Sequence, residues 1–567
     1  MSHYKINPKR NIVFCISILI IGGVFISRLA YIQLIQHQHY TQKANRQLKH
    51  IINIHPNRGD IYTKDHTLLA TMKTSYSIFA LPKTIKSPTK NALALSPILN
   101  IPVEELAKKM SKNTHFVWIK RHTNTRNKEK IKELNLQGIK IIQEKQRHYP
   151  QQKLASHIIG FTGIDNQGLS GIEYSENNNL KGNPGKIILE KDPRGRSLIT
   201  GKKIHYKANH GSHLILTIDT YTQHITEQYL KEGIKKYQAT KGYAIVLEPN
   251  TGHILALASY PNFNPNNWQH ASNQIFKNPC ITDVFEPGSV IKGITIAMAL
   301  EEGRIQATDK LYVPRNLKVY KHTINEAHPP KEDDPYLKSI TDILKYSSNI
   351  GTALIAQKSN KYELYRYLRK FGFGKRSNCN LPGESKGILH HPNNWSGIDL
   401  ETHAFGQGLA VTPLQLAAAM NVFANNGSYI QPKLIYQRTN NNFDSFQKNT
   451  LSYQQQVLSP KTNALIKEML SQVVEGGTAW PVKIPHYKVA GKTGTAQKAK
   501  EDGLGYQEGN YMASFVGFLP FNKPRAVIAV ILDSPQTSIY GGHTSGVIFK
   551  NIAESLINHF HYPPDTP

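Results

Sequence analysis

The chain has 567 residues, too many for one typical domain and enough for two or three. Hydrophobic residues make up 39% of it and no low-complexity stretch interrupts it, which excludes a disordered or fibrous chain. The 69 basic and 39 acidic side chains leave a formal net charge of +30. That surplus attracts polyanions such as anionic headgroups and cell-wall polymers. No binding motif or aromatic–basic interleaving accompanies it, so nucleic acid is not expected as a partner.

Residues Ile12 to Ser27 (IVFCISILIIGGVFIS) are uncharged and apolar, and the pattern continues past Arg28 as LAYIQLI to Ile35. As a helix, residues 12–35 extend about 36 Å, enough for a hydrocarbon core about 30 Å thick. No small-x-small cleavage site follows, so an uncleaved anchor is expected rather than a signal peptide. Lys5, Lys9 and Arg10 precede the span. They predict a cytoplasmic tail over residues 1–11 and an exported body. No later segment is apolar enough to span, which predicts a single-pass protein.

From about Tyr40 to Lys207 the chain is mixed, with charged helical stretches such as Lys128–Leu136. Two glycine-bearing signatures stand here, Asn57-Arg58-Gly59-Asp60-Ile61-Tyr62 and Gly168-Leu169-Ser170-Gly171-Ile172-Glu173. Both read as turn-rich structural elements in which glycine permits close backbone approach. The character changes near His213. Leu214–Asp219 reads as a strand and Thr222–Tyr237 as a helix. GYAIVLEPNTGHILALAS then forms two β runs joined at Pro249-Asn250-Thr251-Gly252, a hairpin signal. YMASFVGFLP and AVIAVILDSP are later apolar strands, and FKNIAESLINHF is a closing amphipathic helix. A helix-rich block lies between. Residues 213–567 are therefore expected to be an α+β domain, an antiparallel sheet with helices on its faces.

Of Cys15, Cys280 and Cys379, the first lies in the apolar span. Only Cys280 and Cys379 could pair, and their spacing demands no disulfide. There is no zinc-type cluster, and His559 and His561 read as an incidental surface pair.

Three short motifs carry chemistry. In Glu286-Pro287-Gly288-Ser289-Val290-Ile291-Lys292 a helix start precedes an apolar helical run. Ser289 and Lys292, three apart, share one helix face. A serine needs a neighbouring base, and a desolvated lysine with a lowered pKa can be that base. Alone the spacing says little, since Ser2, Ser87 and Ser445 also begin Ser-x-x-Lys. Ser347-Ser348-Asn349 offers a hydroxyl for proton relay and an amide to orient Lys292 or substrate; its bland reading is a helix cap. Lys492-Thr493-Gly494-Thr495, on the strand-like VAGKTGTA, supplies a cation that could hold a substrate carboxylate or tune the shared proton network, two hydroxyls for the same carboxylate, and a glycine that admits a substrate backbone. The discriminating feature is their order and separation. Ser347 follows Ser289 by 58 residues, and Lys492 follows Ser347 by 145.

This set is the one found in penicillin-binding proteins and class A β-lactamases. Over nearly its whole length the chain resembles class B penicillin-binding proteins. PNRGDIYTKDHTLLA (Pro56–Ala70), HYPQQKLASHIIGFTG (His148–Gly163) and Gly168–Glu173 resemble the family's pedestal, here residues 40–207. EPGSVIKG, YSSNIGTA, FGQGLAVTPLQLA (Phe405–Ala417), VEGGTA (Val474–Ala479) and VAGKTGTAQK resemble its transpeptidase domain. Length, single anchor and modest pedestal look most like the FtsI branch, the division transpeptidases also called penicillin-binding protein 3. One departure is GGHTSGVIF (Gly541–Phe549), which lacks the small-Ala-Pro sequence often found there.

The resemblance implies that Ser289 attacks a D-Ala-D-Ala stem peptide while Lys292 takes its proton. Backbone N–H groups of Ser289 and Thr495 bind the oxyanion, and Ser347 with Lys492 protonates the leaving D-Ala. An amine from a neighbouring stem then forms the cross-link. β-Lactams trap Ser289, and no cofactor is needed. It implies a membrane protein with an extracytoplasmic catalytic domain, a separate glycan polymerase of the FtsW type, and divisome partners. An elongation transpeptidase, a β-lactam sensor and a β-lactamase are the alternatives.

Overall fold

The computed structural model describes residues 8–191, 203–327, 336–439, 446–448, 453–500 and 505–566. Ser2, Lys5 and Ser445, named above, lie outside them. The chain divides into two compact units, Met1–Pro56 with Gly182–His210, and Asn57–Lys181 with Gly211–Pro567.

In the first unit a helix runs from Pro8 to Ala30 and widens into a π-turn over Tyr31–Ile35. Proline fits a first helical turn, because its missing N–H has no partner there. The helical stretch Lys9–Ile35 has 27 residues and contains an 18-residue window with a mean hydropathy of 2.5, long and apolar enough to cross a membrane. A second helix, His37–Leu48, leads to an antiparallel sheet in which Gly185–Glu190 lies between Lys49–Ile54 and Lys203–Tyr206.

The second unit holds Asn57–Lys181 and the larger body that follows Gly211. Its mixed sheet joins the two: Ile61–Tyr62 pairs with Leu68–Ala80 and, in parallel, with His213–Leu216, which pairs with Ile435–Thr439. The strand expected over Leu214–Asp219 therefore ends at Leu216. Asp219 instead caps the next helix, its carboxylate accepting from the Thr222 N–H at 2.8 Å. Likewise the helix expected at Lys128–Leu136 runs over Thr125–Glu133, because Asn124 caps it through Asn127 N–H at 2.8 Å.

The larger body is built on an antiparallel five-stranded sheet between helices. In chain order its elements are helix α1 (Thr220–Tyr237), strands β1 (Lys241–Leu247) and β2 (Ile254–Tyr260), helices α2 (Lys292–Glu301), α3 (Asn349–Gln357) and α4 (Pro413–Ala424), strands β3 (Ala490–Ala499), β4 (Tyr506–Leu519) and β5 (Ala526–Asp533), and helix α5 (Ser545–Phe560). The strand order is β2-β1-β5-β4-β3, so β3 is an edge. Every residue of β5 is buried, as a strand covered on both faces requires. Helices α1 and α5 pack on the sheet and on each other, and α4 also packs on β1, β4 and β5. All 12 residues of α4 are buried, the mark of a helix apolar all round. Its start is fixed by a Thr412–Gln415 capping box with Pro413 in the first turn.

Cys280 and Cys379 are buried free thiols; Cys280 Sγ donates to Ala258 O at 3.3 Å. His559 stacks on Tyr221 with ring centroids 3.8 Å apart. Where GGHTSGVIF departs from the family pattern, a turn over residues 541–544 enters α5 at Ser545, whose hydroxyl donates to Ala513 O at 2.8 Å.

Candidate active site

Ser289 sits in a 3-10 turn, Gly288–Ile291, that runs into α2. The tighter turn follows from its neighbours. Gly288 has φ +53° and donates its N–H to Gly406 O at 3.0 Å. A Cβ on Gly406 would lie 2.0 Å from Gly288 O, so only glycine lets the Phe405–Gly408 loop close on the turn that carries Ser289. From the other side β3 arrives through Gly494, where a Cβ would lie 2.4 Å from Ser514 Oγ and 3.0 Å from Pro287 O. Gly494 thus serves the docking of β3 on that turn.

Lys292 and Lys492 are both fully buried. Lys292 Nζ donates to the Ser347 carbonyl, to Ser347 Oγ at 3.2 Å and to Asn349 Oδ1 at 2.7 Å. Lys492 Nζ donates to Ser347 Oγ at 2.9 Å, and to Thr493 O and Oγ1 at 3.1 and 3.3 Å. The Ser347 hydroxyl therefore lies between two amines. Its backbone is left-handed, with φ 62°, and both its carbonyl and its hydroxyl face Lys292. Burial pushes Lys292 down to about 7, against the pull of the Glu326 carboxylate. Burial, and then the nearby Lys292 charge, hold Lys492 well below the usual lysine range.

A cavity of about 690 Å³ covers this network. Ser289, Ser347, Asn349, Thr493 and Thr495 line it, whereas Lys292, Lys492 and Gly494 lie outside its lining. Ser289 makes no side-chain hydrogen bond among the described residues, and the three bonds of Lys292 all go to Ser347 and Asn349. Thr495 Oγ1 accepts from Gly541 N–H at 3.4 Å, and the Thr493 and Thr478 hydroxyls are 2.9 Å apart. Beside them, edge strand β3 presents alternate backbone groups without a strand partner.

Residues 242–554 match the penicillin binding protein transpeptidase domain, and residues 53–216 match the penicillin-binding protein dimerisation domain. This chain is a class B penicillin-binding protein. It is 33% identical over 571 residues to the peptidoglycan D,D-transpeptidase FtsI of Buchnera aphidicola, covering 98% of this chain and 96% of the relative. To the stage V sporulation protein D of Bacillus subtilis it is 31% identical over 561 residues, 97% of this chain and 85% of the relative. Penicillin binding protein 3 of Mycobacterium tuberculosis, solved with aztreonam, superposes with a TM-score of 0.72 at 26% identity, covering 91% of this chain and 99% of that one.

In this penicillin-binding protein the motifs rest on a carboxylate that motif reading did not find. Glu326 accepts from Asn349 N–H at 2.6 Å and from the Ser348 hydroxyl. Asn325 O takes the Asn349 Nδ2 at 3.0 Å, which turns Oδ1 to Lys292. Glu326 sits 21 residues before Ser347 in a loop without periodicity, so no sequence signal marks it. Thr478 was legible only as part of the VEGGTA block.

Proposed function

We propose that this penicillin-binding protein is a peptidoglycan D,D-transpeptidase that carries its acyl intermediate on Ser289 and acts at the division septum. One observation carries the reading: two fully buried lysines share the Ser347 hydroxyl at the cavity that Ser289 lines. With its pKa near 7, Lys292 spends part of its time uncharged at neutral pH. An ammonium has three N–H donors, and Lys292 uses three. The neutral amine keeps two and gains a lone pair that turns to the Ser289 hydroxyl.

Ser289 then attacks the penultimate D-Ala carbonyl of a stem peptide, and its proton passes to Lys292. The N–H groups of Ser289 and Thr495 take the oxyanion, each worth about 3–4 kcal/mol. Thr493 and Thr495 hold the terminal carboxylate, with the Gly494 backbone alongside, and buried Lys492 tunes the proton network through Ser347. Ser347, between the lysines, relays a proton to the departing D-Ala, and Asn349 keeps Lys292 in place. An amine of a second stem resolves the ester. β-Lactams, shaped like D-Ala-D-Ala, acylate the same hydroxyl and stall. No metal or organic cofactor enters this scheme.

Full-length likeness to FtsI supports the division role over the elongation one. Lys5, Lys9 and Arg10, ahead of the uncharged run that begins at Ile12, support a cytoplasmic N-terminus and an extracytoplasmic body. A glycan polymerase of the FtsW type and divisome proteins are the proposed partners, a reading supported by the likeness to FtsI along the chain.

Fluorescent penicillin tests the reading. Ser289→Ala protein should stay dark at concentrations that saturate the unmodified protein; persistent labelling puts the nucleophile elsewhere. Continued turnover of a chromogenic cephalosporin would favour a β-lactamase instead. A fluorescent fusion along the sidewall rather than at the septum would favour elongation.

A further inference from the structure

The two ends of the catalytic cavity differ. Gln497 and Tyr511 line it at the C-terminal end of β3, and Thr478, Trp480 and His543 line it beside Thr493. If the donor's terminal carboxylate sits on Thr493 and Thr495, the rest of the donor peptide extends towards Gln497. The leaving D-Ala then departs on the Trp480 side. Aminolysis of the ester reverses acylation by a peptide, so the attacking and leaving amines share one side of the tetrahedral intermediate. The acceptor therefore arrives past Trp480 and His543.

Trp480 is 59% exposed, although its segment is fixed. It opens a 3-10 turn with Pro481, and Val482 in that turn is buried. A Cβ on Gly542 would lie 2.4 Å from Thr478 O, so the two segments touch through their backbones. The exposed His543 ring meets the indole edge-on with centroids 5.9 Å apart. An indole face attracts an ammonium, and an imidazole N–H donates to a carboxylate.

We propose that Trp480 and His543 form an acceptor subsite that binds a primary ammonium carrying a neighbouring carboxylate. This rests on the reading of Ser289 as the acyl carrier. The bound ammonium loses one proton to solvent. Its nitrogen forms a C–N bond to the acyl carbon, and the C–O bond to Ser289 breaks with its electron pair left on Oγ. The amine's second proton reaches Oγ through Ser347 and the lysines.

How the acyl-enzyme partitions reads this subsite directly. Full-length protein in detergent is acylated with a thioester analogue of the stem peptide, and aminolysis by glycine is compared with hydrolysis by mass spectrometry. Trp480→Ala should lower the aminolysis-to-hydrolysis ratio at least fivefold and raise the glycine concentration for half-maximal aminolysis. Trp480→Phe should restore most of the ratio, and His543→Ala should lower it at least twofold. Slow acylation alone leaves this ratio in place, so a merely structural loss does not mimic the effect. An unchanged ratio in both alanine variants overturns the acceptor subsite. If the unmodified protein forms no acyl-Ser289 at all, the nucleophile reading fails first and takes this one with it.

Discussion

In the pedestal, Arg58 and Arg147 reach the buried Glu173 carboxylate from two sides, at 2.6 and 2.5 Å. Arg58 also donates to Glu173 O at 2.7 Å and to Asn177 Oδ1 at 2.8 Å, and Arg147 to Gly59 O at 2.8 Å. In the catalytic body Lys292 and Lys492 are as deeply buried, yet what they touch is hydroxyl, carbonyl and amide oxygen. A guanidinium stays charged, so its burial requires a carboxylate and hydrogen bonds. An amine can instead shed its proton, and burial without a carboxylate in contact lowers both lysines, Lys292 to about 7. The first cluster holds the RGD-containing turn to the Gly168–Glu173 turn, which is why both glycine signatures read correctly as structural. The second is left reactive.

The largest effect should come from removing the base. Lys292→Met should slow β-lactam acylation about 10²–10⁴-fold, read as the second-order labelling rate of the full-length protein in detergent. Its stability should move the other way. Lys292 binds its proton less readily when folded, so its burial penalty is fully present below about pH 7 and vanishes above the ordinary lysine range. Methionine removes that penalty, and urea midpoints at pH 6 should not fall. A large loss of stability there would make the lysine structural, like the arginines.

Glu173→Gln sharpens the other side of the contrast. It strips the counter-charge from two buried guanidinium groups and should cost about 3–5 kcal/mol in chemical denaturation. Molecules that remain folded should still label with penicillin. Next in size is Gly494→Ala, whose methyl meets Ser514 Oγ and Pro287 O. About 1–3 kcal/mol of stability should be lost, with slower acylation because the nucleophile turn is displaced. The smallest effect is that of pH. Acylation should rise up to about tenfold per unit below pH 7 and level off above it, with apparent values that belong to the Lys292–Lys492 pair. A flat profile between pH 5.5 and 8 would break the idea of a neutral-amine base.

Much of the catalytic body was legible because its signals are local. The hairpin at Pro249–Gly252, the apolar strands β4 and β5 and helix α5 follow from period and turn chemistry. Boundaries moved wherever a capping side chain took over, as Asp219 and Asn124 did. Ser289 was expected at a helix start, and the structure makes that start a 3-10 turn because Gly288 is held by Gly406. Glu326 and the Trp480–His543 pair were not legible, since loop residues far apart in sequence carry no periodicity.

The order of residues alone determined an apolar segment of spanning length, the alternation that makes a buried sheet, and three motifs in a fixed sequence. Only the tertiary structure decided that one hydroxyl lies between two amines and that both amines are stripped of water. Desolvation and charge act through space, and they depend on segments separated by 55 and 145 residues that no local pattern brings together.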